Sequence, residues 1–583
     1  MSMSAPIPRP EELRLPRRWV LAPPPPPEVE ARLSHYHRIL RSILAQRGVA
    51  TAAEADIFLN GAALAVDPFR MKGVSEAVSR LRFALRRGER IAVYGDFDAD
   101  GITATALLTA VLRALGADVH YYIPHRVDEG YGLNRQALDG LRARGCHVVV
   151  TVDCGIRSLD EVVYGQRRGL DLIITDHHSV GPELPPARAV INPKQPGCRY
   201  PYKSLAGVGV AYRLAQGLLR AAQKVDRNGS IGLAEEDLLD LVAIGTVADI
   251  VPLRDENRHL VRQGLSRLNQ PVRLGVRALI DQAEIPLGQI TAWSIGFQIG
   301  PRINAAGRLA SGELAYELLT TDDEPRACEL AARLGELNQQ RQSLTRHHAE
   351  QALTALADKP DAYFHLIASP NYEHGIVGLI ASQITEATYR PTAVVRVGDQ
   401  ESRGSARSIP EFDITAALDQ CRDLLVRHGG HAMAAGFTVR TNNLPALTER
   451  LRDLARAQLA DKELAPTLAI DAEASLEELD WALYEQLQRI EPCGHANERP
   501  VLLARDLKVV SHRAVGANGH HLKLSVTDGR TFFDAIAFRQ GRLAEQMPAR
   551  VDLAFTLDVN KWNDERRLQL NVIDLRPAGG EGR

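Results

Sequence analysis

"RIAVYGDFDADGITATALLTAVLRALG", residues 90–116, reads as a strand, an acidic turn and a helix. Arg90–Tyr94 is a short apolar run rich in β-branched residues, and Ile102 to Gly116 carries apolar residues at helical spacing. Between them Asp96, Asp98 and Asp100 occupy alternate positions and Gly101 closes the turn. In an extended segment alternate residues share a face, so three carboxylates would crowd together. Like charges at such distances raise one another's pKa unless a cation sits among them, and a bound divalent metal resolves the conflict most simply. An EF-hand calcium loop begins with the same spacing, and Gly101 fits its sixth position. The twelfth position, where a bidentate Glu belongs, is Leu107, and a strand precedes the loop where an EF-hand needs a helix. The plain alternative is a solvated acidic turn.

The same pattern recurs downstream. "HVVVTV" (147–152) ends in Asp153-Cys154-Gly155, and "LDLIIT" (170–175) ends in Asp176-His177-His178. Three strands thus deliver acidic or imidazole groups at their carboxyl ends, where open α/β sheets place their sites. Strands alternating with helical stretches from Arg90 to about residue 260 imply βαβ units and a mostly parallel sheet. "LVAIGTVADIVPL" (241–253) adds Asp249 inside an apolar run, where an unpaired buried carboxylate is costly and a metal would satisfy it. Seen alone, Asp153 is also a good helix cap and a His pair is often surface. Carboxylate-rich sites with one or two imidazoles suit Mn2+ or Mg2+ better than structural zinc. So many acidic ligands point to two ions sharing a bridging carboxylate, an arrangement suited to in-line phosphoryl chemistry.

With 583 residues the chain exceeds one core, and three to four domains are expected. A net charge of −2 gives no general basic footprint, so a nucleic-acid substrate needs a local patch. The six cysteines form no C-x-x-C pair, and no window is apolar enough for a membrane span, so a cytoplasmic protein without membrane association is expected. Residues 1–45, with five prolines at Pro23 to Pro27, read as an extended N-terminal tether. A helical pattern from Glu324 to Leu356 has no proline after Pro325 and reads as an interdomain helix. Beyond it "YFHLIASP", "PTAVVRV" and "FTVR" mark a second α/β domain, and short strands after "LADKELAPT" mark a small β-barrel. "GPRINAAGR" (300–308) reads as a loop whose Arg302 and Arg308 suit phosphate. "GSARSIP" (404–410) reads as a phosphate cradle with Ser405, Ser408, Arg407 and amides freed by Gly404. His431 follows two glycines, where backbone can approach a ligand. Trp562 and Tyr484 are candidate stacking surfaces in the C-terminal region, and Trp481 reads as helix core. "KWNDERRLQL" (561–570) reads equally as a basic groove or as a hairpin.

"YGDFDADG", "VTVDCG", "TDHH" and "GTVADIVPL" resemble, in order, the four motifs of the DHH phosphoesterase superfamily. Their details are similar to its RecJ family of bacterial single-strand-specific DNA exonucleases, which work 5′→3′. The likeness continues through "RVDEGYGL" (126–133) and "FQIGPRINAAGRL" (297–309). "HGIVGLIASQI" (374–384), "GSARSI" (404–409) and "GGHAMAAGF" (429–437) resemble the DHHA1 substrate-binding domain. "EPCGHANERP" (491–500) and the β-rich tail resemble the family's OB-fold domain. The resemblance implies a DHH catalytic domain over 46–320, a connecting helix over 321–358, a DHHA1 domain over 359–462 and an OB-fold over 463–577. It implies that Asp98, Asp100, Asp153, His177 and Asp249 ligate two Mn2+ or Mg2+ ions, with Asp153 as bridge and Asp96 and His178 in or beside the ligand set. Other DHH branches carry a metal-binding His where this chain has Tyr94. Arg302, Asn304, Arg308, Ser405, Arg407 and His431 are implied to hold single-stranded DNA, with the second domain facing the metals across a cleft. A single-strand-binding protein and a helicase are implied partners, and a monomer is expected. Other readings are a DHH phosphodiesterase for short oligonucleotides or cyclic dinucleotides, a pyrophosphatase, or an inactive replication scaffold of the Cdc45 type. The intact carboxylates and the third domain stand against these.

Overall fold

The computed structural model describes residues 15–61, 66–224, 232–270, 273–357, 362–562 and 565–579. The first α/β region is built on five parallel strands: β1 (Arg90–Tyr94), β2 (Val119–Tyr122), β3 (Cys146–Thr151), β4 (Asp171–Thr175) and β5 (Ala189–Ile191), in the order β2-β1-β3-β4-β5. Both faces are covered, as parallel sheets require. Ile91, Val93, Val148, Val150 and Ile173 enter one apolar cluster, while Ala92, Tyr94, Val149, Leu172 and Ile174 enter another. The helices that concern the site are α1 (Ala99–Ala114), α2 (Gly207–Gln223), α3 (Leu239–Ala248) and α4 (Gly300–Leu309). All of them bury side chains in one apolar cluster with the sheet.

An unbroken helix, α5 (Glu324–Leu356), occupies the span its apolar spacing predicts. The second α/β region has a mixed sheet of β6 (His365–Ser369), β7 (Thr392–Arg396), β8 (Glu401–Arg407), β9 (Leu425–His431) and β10 (Ala434–Arg440), ordered β9-β10-β8-β7-β6. Helix α6 (Val377–Thr388) follows β6. The C-terminal strands β11 (Leu502–Val515), β12 (His521–Thr527), β13 (Phe532–Ala537), β14 (Arg550–Trp562) and β15 (Glu565–Pro577) close on themselves through a β11–β14 pairing, giving a five-stranded barrel. The chain is therefore mixed α/β with a C-terminal OB-type barrel. The described residues fold as two compact units, one drawn from 61–341 with 492–498, the other from those up to Asn60 with 342–491 and those after Glu498. Among the described residues, no helix is long and apolar enough to cross a membrane.

Three expectations change. The N-terminal tether is folded from Arg18 onward: Arg18–Leu21 adds a parallel strand to Thr467–Ile470, and the Trp19 indole donates to Asp574 Oδ2 at 2.8 Å. Trp19 also packs on Ile470, Leu503 and Ala554, an apolar footing that composition alone conceals. Pro27 opens a helix, the position where a missing N–H costs nothing. The stretch before Leu15 lies outside the described residues. Trp481 is 40% exposed, because Asp480 caps the helix and its buried side is Leu483 and Leu487. The "GPRINAAGR" loop is helix α4. Its glycine permits packing rather than a turn, since a Cβ on Gly307 would stand 2.3 Å from the Phe97 carbonyl oxygen.

Candidate metal centre

Strand β1 ends at Tyr94, and the chain crosses Gly95 to Asp98 before α1 begins. Asp98 caps that helix, its Oδ1 accepting the amides of Asp100 and Gly101 at 3.0 and 3.1 Å. Asp100 therefore lies in the first helical turn, and the picture of three aspartates on one extended face is corrected. The acidic residues still converge, but by a turn rather than by strand alternation. The Asp100 carboxylate accepts the amides of Gly207 and Val208 at 2.6 and 2.7 Å, which seats it on the positive N-terminus of α2. Asn304 on α4 accepts the Ala99 amide through Oδ1 at 2.9 Å, so one side of this amide braces the acidic turn.

The other members arrive from strand ends and one helix end. Asp153 follows β3 with φ at 62°, a left-handed conformation uncommon for a non-glycine residue and a feature of sites where strain is held in place. Gly207 must be glycine, because a Cβ there would lie 2.6 Å from the Asp153 carboxylate. Asp249 is the last residue against the C-terminus of α3. His177 and His178 sit beyond the end of β4, so both rings share the site, with centroids 4.4 Å apart. His177 Nε2 lies 3.2 Å from Asp153 Oδ1 and 3.5 Å from Asp249 Oδ2.

Three groups result whose ligand atoms all lie within 4.8 Å of one another: Asp96 with Asp98 and Asp153, Asp100 with His177 and Asp249, and Asp153 with His177 and His178. The seven residues placed in or beside the metal site from the sequence, Asp96, Asp98, Asp100, Asp153, His177, His178 and Asp249, all belong to them, and Asp153 and His177 each enter two. Asp96 Oδ1, Asp153 Oδ1, His177 Nε2 and Asp249 Oδ2 are buried without a hydrogen-bond partner among the described residues. Burial, then the charge of Asp98, pushes Asp96 up to about 8 and Asp100 up to about 7. Burial, reinforced by Asp100 and Asp98, holds Asp153 and Asp249 well above the carboxylate range. Burial and the neighbouring His178 push His177 down to about 3, leaving a neutral imidazole. Stacked carboxylates, a neutral ring and orphaned polar atoms are what a divalent cation would complete.

Three residues support the cluster in roles that no sequence signal assigned them. Asp176 is fully buried; its Oδ2 accepts the Ile156 amide, and its Oδ1 accepts the His177 and His178 amides and meets His178 Nδ1 at 2.8 Å. It is the orienting carboxylate of the histidine pair. Burial works against a charged His178 ring, but Asp176 outweighs it and the net shift is upward. Tyr131 reaches His178 Nδ1 at 3.0 Å and donates to the Asp153 carbonyl at 3.1 Å. Arg126 lies 4.0 Å over the Phe97 ring and is coupled electrostatically to Asp96 and Asp98. Tyr131 and Arg126 both fall in "RVDEGYGL", where family resemblance was the signal that could have found them. Tyr94 faces the core, donating to the Gly132 carbonyl at 2.9 Å.

The substrate candidates occupy two places. On α4, Arg302 donates to Gln282 Oε1 at 2.6 Å and to the Gln298 carbonyl at 2.8 Å; Arg308 is half-buried one turn beyond Asn304. In the second sheet, the expected "GSARSIP" cradle is a strand. Residues 401–407 pair with β7 and β10, so their amides belong to the ladder, and Gly404 makes room for Phe437, whose ring a Cβ would meet at 2.3 Å. Ser408 is buried and donates to the Phe412 carbonyl. Ser405 Oγ accepts from Arg407 Nη1 at 2.9 Å, and among the described residues no carboxylate pairs with Arg407. Register places Arg427, Thr438, Arg403 and Arg396 in one row and His431, Ala434, Arg407 and Thr392 in another, on one face. His431 itself is exposed. In the barrel, β14 and β15 pair from Trp562↔Glu565 inward, the arrangement of a hairpin whose connecting residues 563 and 564 lie outside the described ones. The side chain of Trp562 also lies outside them, while Tyr484 is half-buried at 5.7 Å from Trp481.

The parallel sheet with this carboxylate and imidazole cluster at its carboxyl edge defines a phosphoesterase of the DHH class. Residues 90–246 match the DHH family, N-terminal domain, residues 361–457 the DHHA1 domain, and residues 470–574 the RecJ OB domain. The single-stranded-DNA-specific exonuclease RecJ of Bacillus subtilis is 37% identical over 96% of this chain and 70% of its own length; that of Dickeya dadantii is 38% identical over 92% and 96%. The crystal structure of RecJ in complex with Mn2+ from Thermus thermophilus superposes with a TM-score of 0.82 at 32% identity, covering 96% of this chain and 79% of that one. The chain belongs to the RecJ family of single-stranded-DNA-specific exonucleases, hydrolases of phosphodiester bonds.

Proposed function

We propose that the chain digests single-stranded DNA from the 5′ end to 5′-mononucleotides, in recombination and repair, with two Mn2+ or Mg2+ ions as cofactors. The observation that carries this reading is the set of orphaned buried atoms, Asp96 Oδ1, Asp153 Oδ1, His177 Nε2 and Asp249 Oδ2, all converging where hard cations would satisfy them. Asp98, Asp100, Asp153, His177 and Asp249 would hold the ions, with Asp153, common to two of the groups, as the bridge and Asp96 and His178 beside it. Divalent cations in such a site neutralise phosphate charge and make water more acidic.

The chain's own residues do the rest. Asp176 fixes the His178 ring, the α2 N-terminus fixes Asp100, and Asn304 fixes the turn that presents Asp98, so the donor atoms are positioned before substrate arrives. Arg407, whose hydrogen-bond partners among the described residues are all neutral, and exposed His431 take strand phosphates, with Ser405 holding the Arg407 guanidinium in place; Arg302 and Arg308 on α4 are also assigned to phosphate. Catalysis is assigned to residues 46–320, strand binding to 359–462 and 463–577, with α5 connecting them. A cytoplasmic monomer working with a single-strand-binding protein and a helicase fits this role by family resemblance.

The test is digestion of 5′-labelled single-stranded DNA with Mn2+, comparing wild type with Asp153→Ala. Release of labelled mononucleotide by the wild type and its near abolition in the variant is the expected result. No release from wild type, or undiminished release from the variant, would sink the proposal.

A further inference from the structure

Trp293 and Phe297 are 59% and 67% exposed, and their rings stack at 5.3 Å with an interplanar angle of 25°. Two large apolar rings turned to solvent are costly unless something covers them. They lie on one helical run, Ala292–Ser294, a π-turn at Ile295–Ile299, then α4. Ile295 and Ile299, on its other side, are fully buried. Single π-turns recur inside helices at functional sites.

That run lies along the metal centre. A Cβ on Gly296 would be 3.7 Å from Val247 and one on Gly300 3.2 Å from Ala248, so the helix crosses α3 immediately before Asp249. Ile250, the residue after Asp249, is itself 69% exposed. Further along, Asn304 and Gly307 meet the acidic turn at Ala99 and Phe97. One helix thus carries the stacked rings at one end and braces the carboxylates at the other.

We propose that the Trp293–Phe297 pair is a stacking platform for bases of the single-stranded substrate close to the hydrolysed phosphate, an inference that rests on the exonuclease reading. The cluster handles phosphates and offers bases nothing, whereas aromatic faces accept any base through its π-surface, as a sequence-tolerant nuclease requires. A duplex presents no free base face, so the platform also favours unpaired strands.

The experiment compares wild type, Trp293→Ala with Phe297→Ala, and Trp293→Phe with Phe297→Tyr, all with Mn2+. Substrates are an ordinary single-stranded oligonucleotide and one whose 5′ stretch is abasic. Loss of a stacked base predicts a KM about tenfold higher, or more, for the double alanine variant on ordinary DNA. The aromatic variant should return close to wild type, and on abasic DNA all three enzymes should coincide. An unchanged KM on ordinary DNA, or an equal loss on abasic DNA, overturns the platform and leaves the exonuclease reading intact; the first of these is also the result expected if the rings dock a protein. Failure of the wild type to release nucleotides overturns both.

Discussion

The two α/β regions use their sheets in opposite ways. At the parallel sheet, charge is buried: Asp96, Asp100, Asp153, Asp176 and His177 are each under 9% exposed, and four polar atoms of the cluster have no hydrogen-bond partner among the described residues. In the mixed sheet, charge of the other sign lies at the surface, with Arg396, Arg427 and His431 exposed and Arg403 and Arg407 half-buried on the same face. Buried like charges are unstable without a counter-ion, whereas a face of arginines in water is stable alone and attracts anions. On the proposed reading, the first arrangement suits a cation and the second suits phosphate.

The largest expected effect breaks the first half of this contrast. Asp249→Ala should lower nucleotide release by about a thousandfold or more, the scale of losing a group that stabilises the transition state. Thermal melting separates this from misfolding. With metal at about a hundred times Kd, wild type should gain about 2.7 kcal/mol of stability, and the variant much less. Without metal, the variant should melt at or above wild type, because one repelling buried carboxylate is gone. A variant that melts well below wild type in EDTA would show that Asp249 has a structural partner instead.

Asp176→Asn comes next. It keeps the shape but weakens acceptance from His178 Nδ1, and loss of such an orienting partner costs about 10–100-fold in metal affinity or activity. Mn2+ titration followed by activity should show the loss as a higher metal requirement, with saturated activity restored in part.

These two residues also mark what could be read from sequence. Asp249 stood out because an apolar run made its burial legible, and the β1–turn–α1 unit was legible because its signals are local. Asp176 sat in plain view, but its role depends on the Ile156 amide twenty residues away and on how the chain turns after β4. The glycines misled for a related reason. In α4 and β8 they resemble loop or cradle residues, yet Gly307 and Gly404 make room for Phe97 and Phe437, neighbours supplied by other elements. Asn304 was legible as a polar group and illegible as a brace, since Ala99 is distant in sequence. The Trp19 strand was hidden because four residues beside a proline run carry too little pattern to announce a partner more than four hundred residues away.

Arg407→Ala tests the second half of the contrast, with a smaller effect. Removing one guanidinium from a basic face should raise KM for single-stranded DNA by about tenfold with little change in kcat. It should also lower the slope of log affinity against log salt by about one. A fall in kcat at unchanged KM would move Arg407 from the strand-holding face into the chemistry.

Gly429→Ala should have the smallest effect and divides two explanations of the same face. Gly429 pairs directly with Gly436 on the exposed edge of the sheet, and a Cβ there would meet nothing within 4 Å. Its φ is not in the left-handed region, so Ala brings no backbone strain. Stability should stay within about 0.5 kcal/mol of wild type, as for surface substitutions elsewhere. If the two glycines exist to let a phosphate backbone lie flat against the strands between His431 and Arg427, one methyl group should still weaken single-strand affinity several-fold, because the ligand would be lifted off the sheet. If the arginines act only through their field, affinity should not change, since no charge has moved. Melting and DNA titration on this single variant therefore distinguish a surface shaped for the strand from one that is merely charged for it.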